Sequence, residues 1–463
     1  MNKIILTEII YYSLFGKKFI KDKIIIDLLP KNTFGVFSTI RRHNKLQKWP
    51  VDIHGCMGYW SNDFSILSQT KLYEKLLSVS HDSMWNDNRK NYFESIYNDT
   101  NSYLEIEFML YPKYEIDNNG NIPKLNKKYD NNKYGIIVKD DNGYRATYLP
   151  NVFNNISWLE ITNSVKQKAG ITNNKVSYYA YKIKKIRKRI IDILKDGIFG
   201  YYSMKYYTQF LLSNAIYTKE FPFPYTIKNN EIIYSNEQVR NISCFNELIN
   251  YYTLYNDLLT NTQLNKIKNI ILSYLKNINN YSSQALSFLG NTITFFKIKN
   301  NLKKQFCTKL KNSLTKAENE FEKPELIIGL KDANCDINYE EIIKTLYFDE
   351  KSSVFHMNWV IQTFSKFNIK LNNKLIKIFI KKVNTIINNI DNEETNSITV
   401  SFEACSFLLY NNKILNYAFR LWISLEKRRK HNMLYSFINN NESRIDISGH
   451  INNGFYNINL FYK

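Results

Sequence analysis

The chain reads as an α+β domain followed by an all-α domain of helical hairpins, toroid- or solenoid-like in type. Three observations carry this expectation. Segments in which apolar and polar residues alternate, as half-buried strands require, recur in the first half and nearly vanish beyond residue 197. From there on, helix-length segments come in pairs joined by short polar loops. With 463 residues, 44% hydrophobic and 23% charged, the chain is long and apolar enough for two such domains. The expected division is residues 1–190 and 197–463.

In chain order, Ile4, Ile5, Ile9, Tyr12 and Leu14 give the N-terminus one packing side of a helix. Thr33 to Ile40 has strand composition, and Leu104 to Leu110 alternates. Between them, Leu67, Leu72, Leu76 and Leu77 give Phe64 to Ser80 helical spacing. The Asn/Lys stretch 117–133 reads as a mobile polar loop. Tyr134 to Val138 and Tyr144 to Leu149 read as strands joined by a turn at Asp140-Asp141-Asn142-Gly143. A helix over Ser157 to Gln167 ends near Gly170. In the second half the paired helices are Tyr251–Leu259 with Ile267–Leu275, Ala285–Phe296 with Leu302–Leu314, Trp359–Phe367 with Leu375–Ile387, and Phe402–Tyr410 with Ile414–Leu425. Each first member is rich in small and aromatic residues and each second in lysine, which suits inner and outer helices. An irregular helical domain is the simpler alternative.

The formal charge of +21 raises the question of nucleic acid. It is spread along the chain: residues 1–200 hold 31 basic against 20 acidic side chains, and residues 51–150 hold 11 against 14. Abundant Asn, Ile, Lys and Tyr have A/T-rich codons, as expected of an A/T-rich microbe or a large DNA virus, so base composition accounts for much of the balance. One cluster stands out, Lys182, Lys184, Lys185, Arg187, Lys188 and Arg189. It offers phosphate contacts, but a solvated helix face leading out of a domain is the preferred reading, so nucleic acid is a possible partner and not the favoured one. No apolar run approaches a membrane span, and no cleavable leader pattern is present. Five scattered cysteines with no CxxC, and six histidines without ligand spacing, predict unpaired thiols, no metal site and an intracellular, cytoplasmic or nuclear, setting. No pattern names a cofactor.

The segment His54-Gly55-Cys56-Met57-Gly58 is the motif with chemistry in it. Flanking glycines unshield the sulfur and let another backbone approach. In an extended strand His54 and Cys56 share a face, and an imidazole beside a thiol favours the thiolate. Equally, Cys56 is a small core residue and the glycines serve tight packing.

Several ordered stretches resemble the AMMECR domain family. Gly35-Val36-Phe37-Ser38-Thr39 is similar to the strand before its motif, and Ile53-His54-Gly55-Cys56-Met57-Gly58 to its Leu-Arg-Gly-Cys-Ile-Gly signature. His81 to Trp85 stands at its small-Asp-x-Arg-Phe stretch, and Leu104-Glu105-Ile106-Glu107 at its Leu-Glu strand. Tyr134-Gly135-Ile136 with Arg145 to Pro150 resembles its hairpin, followed by Trp158 and Lys168-Ala169-Gly170-Ile171. The resemblance covers about residues 1–190 and implies an α+β domain with a shallow cleft. It implies no settled activity, although such domains occur beside Memo-like and radical-SAM proteins. Two family arginines are His54 and Met84 here, Trp85 replaces phenylalanine, and Lys45 to Asp52 is an insertion.

Three functional readings follow. In the first, the protein is a binding or adaptor module for a protein or small molecule, with Cys56 in the core. In the second, Cys56 is a nucleophile or modification acceptor with His54 as base and Asp82 as orienting acid. Gly55 and Gly58 then give backbone N–H groups, Arg145 an anion clamp, and Thr147 and Tyr148 hydroxyls. In the third, Glu403, Arg444, Asp446 and His450 form the site of a glycan-processing or other hydrolase in the helical half. A salt-bridged turn is the alternative for that last cluster.

Overall fold

Alternating side chains pair the strands of the first half, and lysine-rich outer helices wrap the inner helices of the second. The computed structural model describes residues 2–18, 22–42, 53–88, 102–153, 156–172, 175–317, 321–430, 433–434 and 442–462. The insertion at 45–52 lies outside the described residues. The chain divides into two compact units, Met1–Ile190 and Ile191–Lys463.

The first unit holds α1 (Asn2–Phe15), α2 (Asp22–Leu28), β1 (Thr33–Arg42), β2 (Ile53–Trp60), α3 (Gln69–Trp85), β3 (Ser102–Ile116), β4 (Gly135–Asp140), β5 (Arg145–Tyr148), α4 (Trp158–Ala169) and β6 (Val176–Arg189). Among the described residues the strands form one antiparallel sheet in the order β2-β1-β3-β6-β4-β5. The sheet curls: Arg145 on one edge strand reaches Ser61 and Asn62, just past the other. Helix α3 lies across β1 and β2, and α1 packs on α3. Helix α4 opens on a Ser157/Glu160 capping box, buries Ile161 and Val165, and ends at Gly170 in the left-handed region.

Four expectations are corrected here. Helix α3 starts at Gln69, capped by Ser68, because Phe64 takes a positive φ of 61° and breaks the earlier spacing. Residues 117–133 are ordered: Asn121–Ile122 pairs with Lys127–Lys128, and Ile122 is fully buried. The basic cluster is strand β6 and not a solvated helix. Its alternation puts Ile186 in the core and Lys185 and Arg187 against the carboxylates of β3. The fourth concerns cysteine pairing in the second unit.

The second unit contains α5 (Ile198–Ser213), β7 (Thr226–Lys228), β8 (Glu231–Ile233), α6 (Gln238–Tyr255), α7 (Asn261–Lys276), α8 (Ser283–Ser287), α9 (Gly290–Phe295), α10 (Asn300–Leu314), α11 (Glu322–Asp332), α12 (Tyr339–Ile343), α13 (Val354–Lys366), α14 (Asn373–Asn388), α15 (Thr395–Ser406), α16 (Asn412–Lys427), β9 (Glu442–Arg444) and α17 (Ile445–Tyr462). Inner helices α6, α8–α9, α11, α13, α15 and α17 each pack on the next, and α17 packs back on α6. That return contact closes the ring, which makes the unit an α/α toroid and not an open solenoid. Helices α7, α10, α14 and α16 are the amphipathic outer layer. Strand β9 pairs with β7, so Arg444 and the start of α17 stand opposite Thr226. Cys307 of α10 is disulfide-bonded to Cys335 just after α11, with Cα atoms 5.8 Å apart. The scattered thiols are therefore not all unpaired, because packing of consecutive helices brings positions 28 residues apart together. Among the described residues no helix is long and apolar enough to cross a membrane.

Candidate functional sites

Cys56 lies on edge strand β2, half-buried, with Thr39 Oγ1 donating to its Sγ at 3.2 Å. Its backbone N–H donates to Asp87 Oδ2 at 2.9 Å. That N–H is therefore already committed and is not open to an incoming oxyanion. Both glycines have packing reasons. A Cβ on Gly55 would sit 1.7 Å from the Ser83 carbonyl oxygen, so only glycine lets the end of α3 meet β2. A Cβ on Gly58 would sit 2.1 Å from the Phe37 ring.

His54 does not share the Cys56 face as plain alternation predicts. Gly55 pairs with Ile40 and Ile53 with Arg41, so His54 is the extra residue of a β-bulge. The imidazole is buried beside Met84 and Asp87 at the end of α3. Burial pushes its pKa below the ordinary value, against the opposing pull of the Met84 backbone and Asp87. A neutral His54 supplies no charge to a thiolate. Asp82 is not its orienting acid: that carboxylate binds Ser78 and Asn86, at 3.3 and 2.7 Å, with His81 beside it. The acid at the motif is Asp87, which the sequence reading did not single out.

The hairpin residues serve the fold. Thr147 Oγ1 donates to the Ile136 carbonyl at 2.8 Å and meets the Tyr181 hydroxyl, and Tyr148 OH meets Ser164 Oγ at 3.0 Å. Arg145 stacks over Trp60 with 5.1 Å to the ring centroid. It therefore stands at the Ser61 end of β2, about 16 Å along the strand from Cys56 at ~3.3 Å per residue.

The second cluster does converge, at the centre of the toroid. His450 Nδ1 and Glu403 Oε2 are 2.7 Å apart, and Asn358 Nδ2 donates to the same oxygen at 2.9 Å. Arg444 holds Asp446 through two contacts of 3.2 Å, and Arg240 Nε approaches Asp446 at 3.3 Å. Asp446 and His450 line a cavity of about 300 Å³, together with Arg240, Glu247, Glu325 and Trp359. An adjoining, narrower space of about 110 Å³ shares Glu325 and Trp359 and adds Gln362 and Glu403. Phe288 and Trp359 form an edge-to-face aromatic wall.

The cavity walls carry buried polar atoms with no protein hydrogen-bond partner: Glu247 Oε2, Glu325 Oε2, Asn396 Oδ1 and Gln362 Nε2, from α6, α11, α15 and α13. Burial raises Glu247 to about 7 and Glu325 to about 8. Burial disfavours a charged His450, but the charge and hydrogen bond of Glu403, then Asp446 and Glu247, outweigh it and raise its pKa. Glu403, Arg444, Asp446 and His450 stand out in the sequence, whereas Glu247, Glu325, Arg240 and Trp359 join them only in the fold. A carboxylate inside an apolar helical stripe, as in Phe245-Asn246-Glu247-Leu248-Ile249 and Glu325-Leu326-Ile327, was the available signal.

Fold and sites together define a chain that joins a curled-sheet α+β domain to a closed α/α toroid. Residues 7–190 match the family model described as AMMECR1, and the first unit carries an AMMECR1 domain. No curated protein sequence matches the chain. Among solved structures, it is similar to a mutant unsaturated glucuronyl hydrolase from Streptococcus agalactiae, with a TM-score of 0.41 and 13% identity over 58% of this chain and 91% of that one. The unmutated enzyme gives 0.39 and 14%, over 59% and 92%. A polysaccharide lyase gives 0.21 and 9%, over 71% and 46%.

Proposed function

We propose that the helical unit is a hydrolase acting on a glycosidic bond at the centre of its ring, and that the AMMECR1 domain is a binding module. One observation carries the first part: unpartnered, buried polar atoms from four inner helices line two adjoining spaces that share Glu325 and an aromatic wall. Buried polar atoms are nearly always paired, so a set left open toward a cavity favours a hydroxyl-rich ligand to complete it. Glycoside hydrolysis needs a protonated acid at the leaving oxygen and an ionised carboxylate across from it. Glu325, raised to about 8, suits the acid. Asp446, ion-paired with Arg444 and Arg240, suits the carboxylate. His450 and Glu403 orient each other beside them, and the Trp359 face suits a sugar ring.

For the first domain, glycines explained by packing and a Cys56 N–H committed to Asp87 favour recognition over covalent chemistry. The test is release of aryl alcohol from a panel of aryl glycosides, and of reducing ends from oligosaccharides, by the intact chain. Turnover is expected to fall by about 100-fold or more in Glu325→Gln and in Asp446→Asn. Absence of turnover with every substrate, or full activity in Asp446→Asn and Glu403→Gln together, overturns the reading.

A further inference from the structure

The basic strand β6 forms a structure that the proposal above leaves unused. Glu105 on β3, with a side chain only 2% exposed, gathers three cations. Arg41 Nε approaches at 2.9 Å, Lys185 Nζ at 2.7 Å and Arg187 Nε at 3.2 Å. Arg187 and Lys185 stand directly across from Glu105 and Glu107 in the β3–β6 ladder, and Arg41 comes from β1 on the other side. Three cations on two carboxylates leave a net positive charge, and both Arg41 and Lys185 share the same oxygen of Glu105. Like charges held together at a partly exposed patch call for a counter-anion.

Each guanidinium reaches Glu105 through Nε, and its Nη groups have no partner among the described residues. The three cationic side chains are 25%, 41% and 41% exposed. Arg187 is further fixed by stacking on Tyr103, with 3.9 Å to the ring centroid. Beneath them Glu107 is buried and its Oε2 meets no partner. Burial raises the Glu107 pKa above the ordinary carboxylate value, chiefly against the pull of Lys185. The same cross-strand row continues from Glu105 to Thr39 and Cys56.

We propose that Arg41, Lys185 and Arg187, positioned by Glu105 and flanked by Glu107, form a binding site for a phosphate-type dianion on the AMMECR1 domain. Two guanidinium forks and an ammonium suit the oxygens of one phosphoryl group. Glu105 acts as the positioning residue: it holds the three charges at one point without neutralising them.

The test is calorimetric titration of the intact chain with inorganic phosphate, against chloride at equal ionic strength, and separately with a short single-stranded oligonucleotide. Saturable phosphate binding is expected, weakened about ten-fold or more by Arg41→Gln or Arg187→Gln. Arg41→Lys and Arg187→Lys keep the ion pair with Glu105, and so the fold, but remove the fork; each is expected to weaken phosphate measurably. Lys124→Gln, at an exposed position away from the site, is expected to bind as the parent does. Phosphate binding no tighter than chloride, unchanged binding in both lysine variants, or oligonucleotide binding that phosphate does not displace each overturns the proposal.

Discussion

Replacing Glu325 by glutamine is expected to change how the stability of the helical unit depends on pH. The carboxyl is raised to about 8 in the folded chain, against an ordinary value of 4.5. A group that holds its proton more tightly when folded stabilises the fold fully below its unfolded value, and that contribution is lost as pH rises through the folded value. Between about pH 5 and about pH 6.5, linkage at ~1.36 kcal/mol per unit gives a loss of about 2 kcal/mol from this one side chain. Glutamine has nearly the same shape and no proton to lose. Glu247, raised to about 7, contributes alike to both proteins and cancels in the comparison. His450 is also raised, but from 6.5, so its loss begins only above this window. Urea unfolding followed by circular dichroism at the two pH values should therefore show the parent chain losing about 2 kcal/mol more than Glu325→Gln. Equal losses in the two proteins would refute the burial of a protonated carboxyl at the ring's centre.

Two further outcomes concern the first unit. Gly55→Ala is expected to cost about 3 kcal/mol or more in urea unfolding, because the new Cβ meets a backbone oxygen at 1.7 Å, whereas Gly58→Ala meets the Phe37 ring, which can turn, and should cost about 1–2 kcal/mol. A thiol reagent on the native chain should label half-buried Cys56 well before Cys244 and Cys405, whose thiols burial raises and shields; labelling of Cys244 at the rate of Cys56 would show the toroid packing to be wrong.

What the sequence made legible was the local pattern. Strand alternation at Leu104 to Leu110 and the Ser157 cap need only neighbouring residues, and both elements form where the pattern puts them. Strand β6 was hidden because the carboxylates that face its bases lie about 80 residues earlier, so Lys182 to Arg189 reads as a solvated face until β3 is beside it. Nothing in His54-Gly55-Cys56 announces a bulge, yet that one extra residue sends the imidazole toward Asp87. The toroid cluster was half legible. Arg444, Asp446 and His450 are neighbours in sequence, while Glu247 and Glu325 reach the same cavity only because α17 closes the ring on α6.

Two of the departures from the AMMECR pattern, His54 and Met84, bear on where positive charge stands in the first unit. His54 is 4% exposed and Met84 is fully buried, so neither position has room for a solvated arginine in this chain. The end of α3 instead docks on β2 through uncharged contacts: Ser83 lies on Gly55, Met84 fills the core, and Trp85 Nε1 donates to the Ser13 carbonyl at 2.5 Å. Asp87 takes the edge-strand N–H of Cys56. Fixed cations stand on the sheet at Arg41, Lys185 and Arg187, around the row that runs from Cys56 through Thr39 to Glu105. Cys56 therefore stands at the edge of this positively charged row and not at its centre.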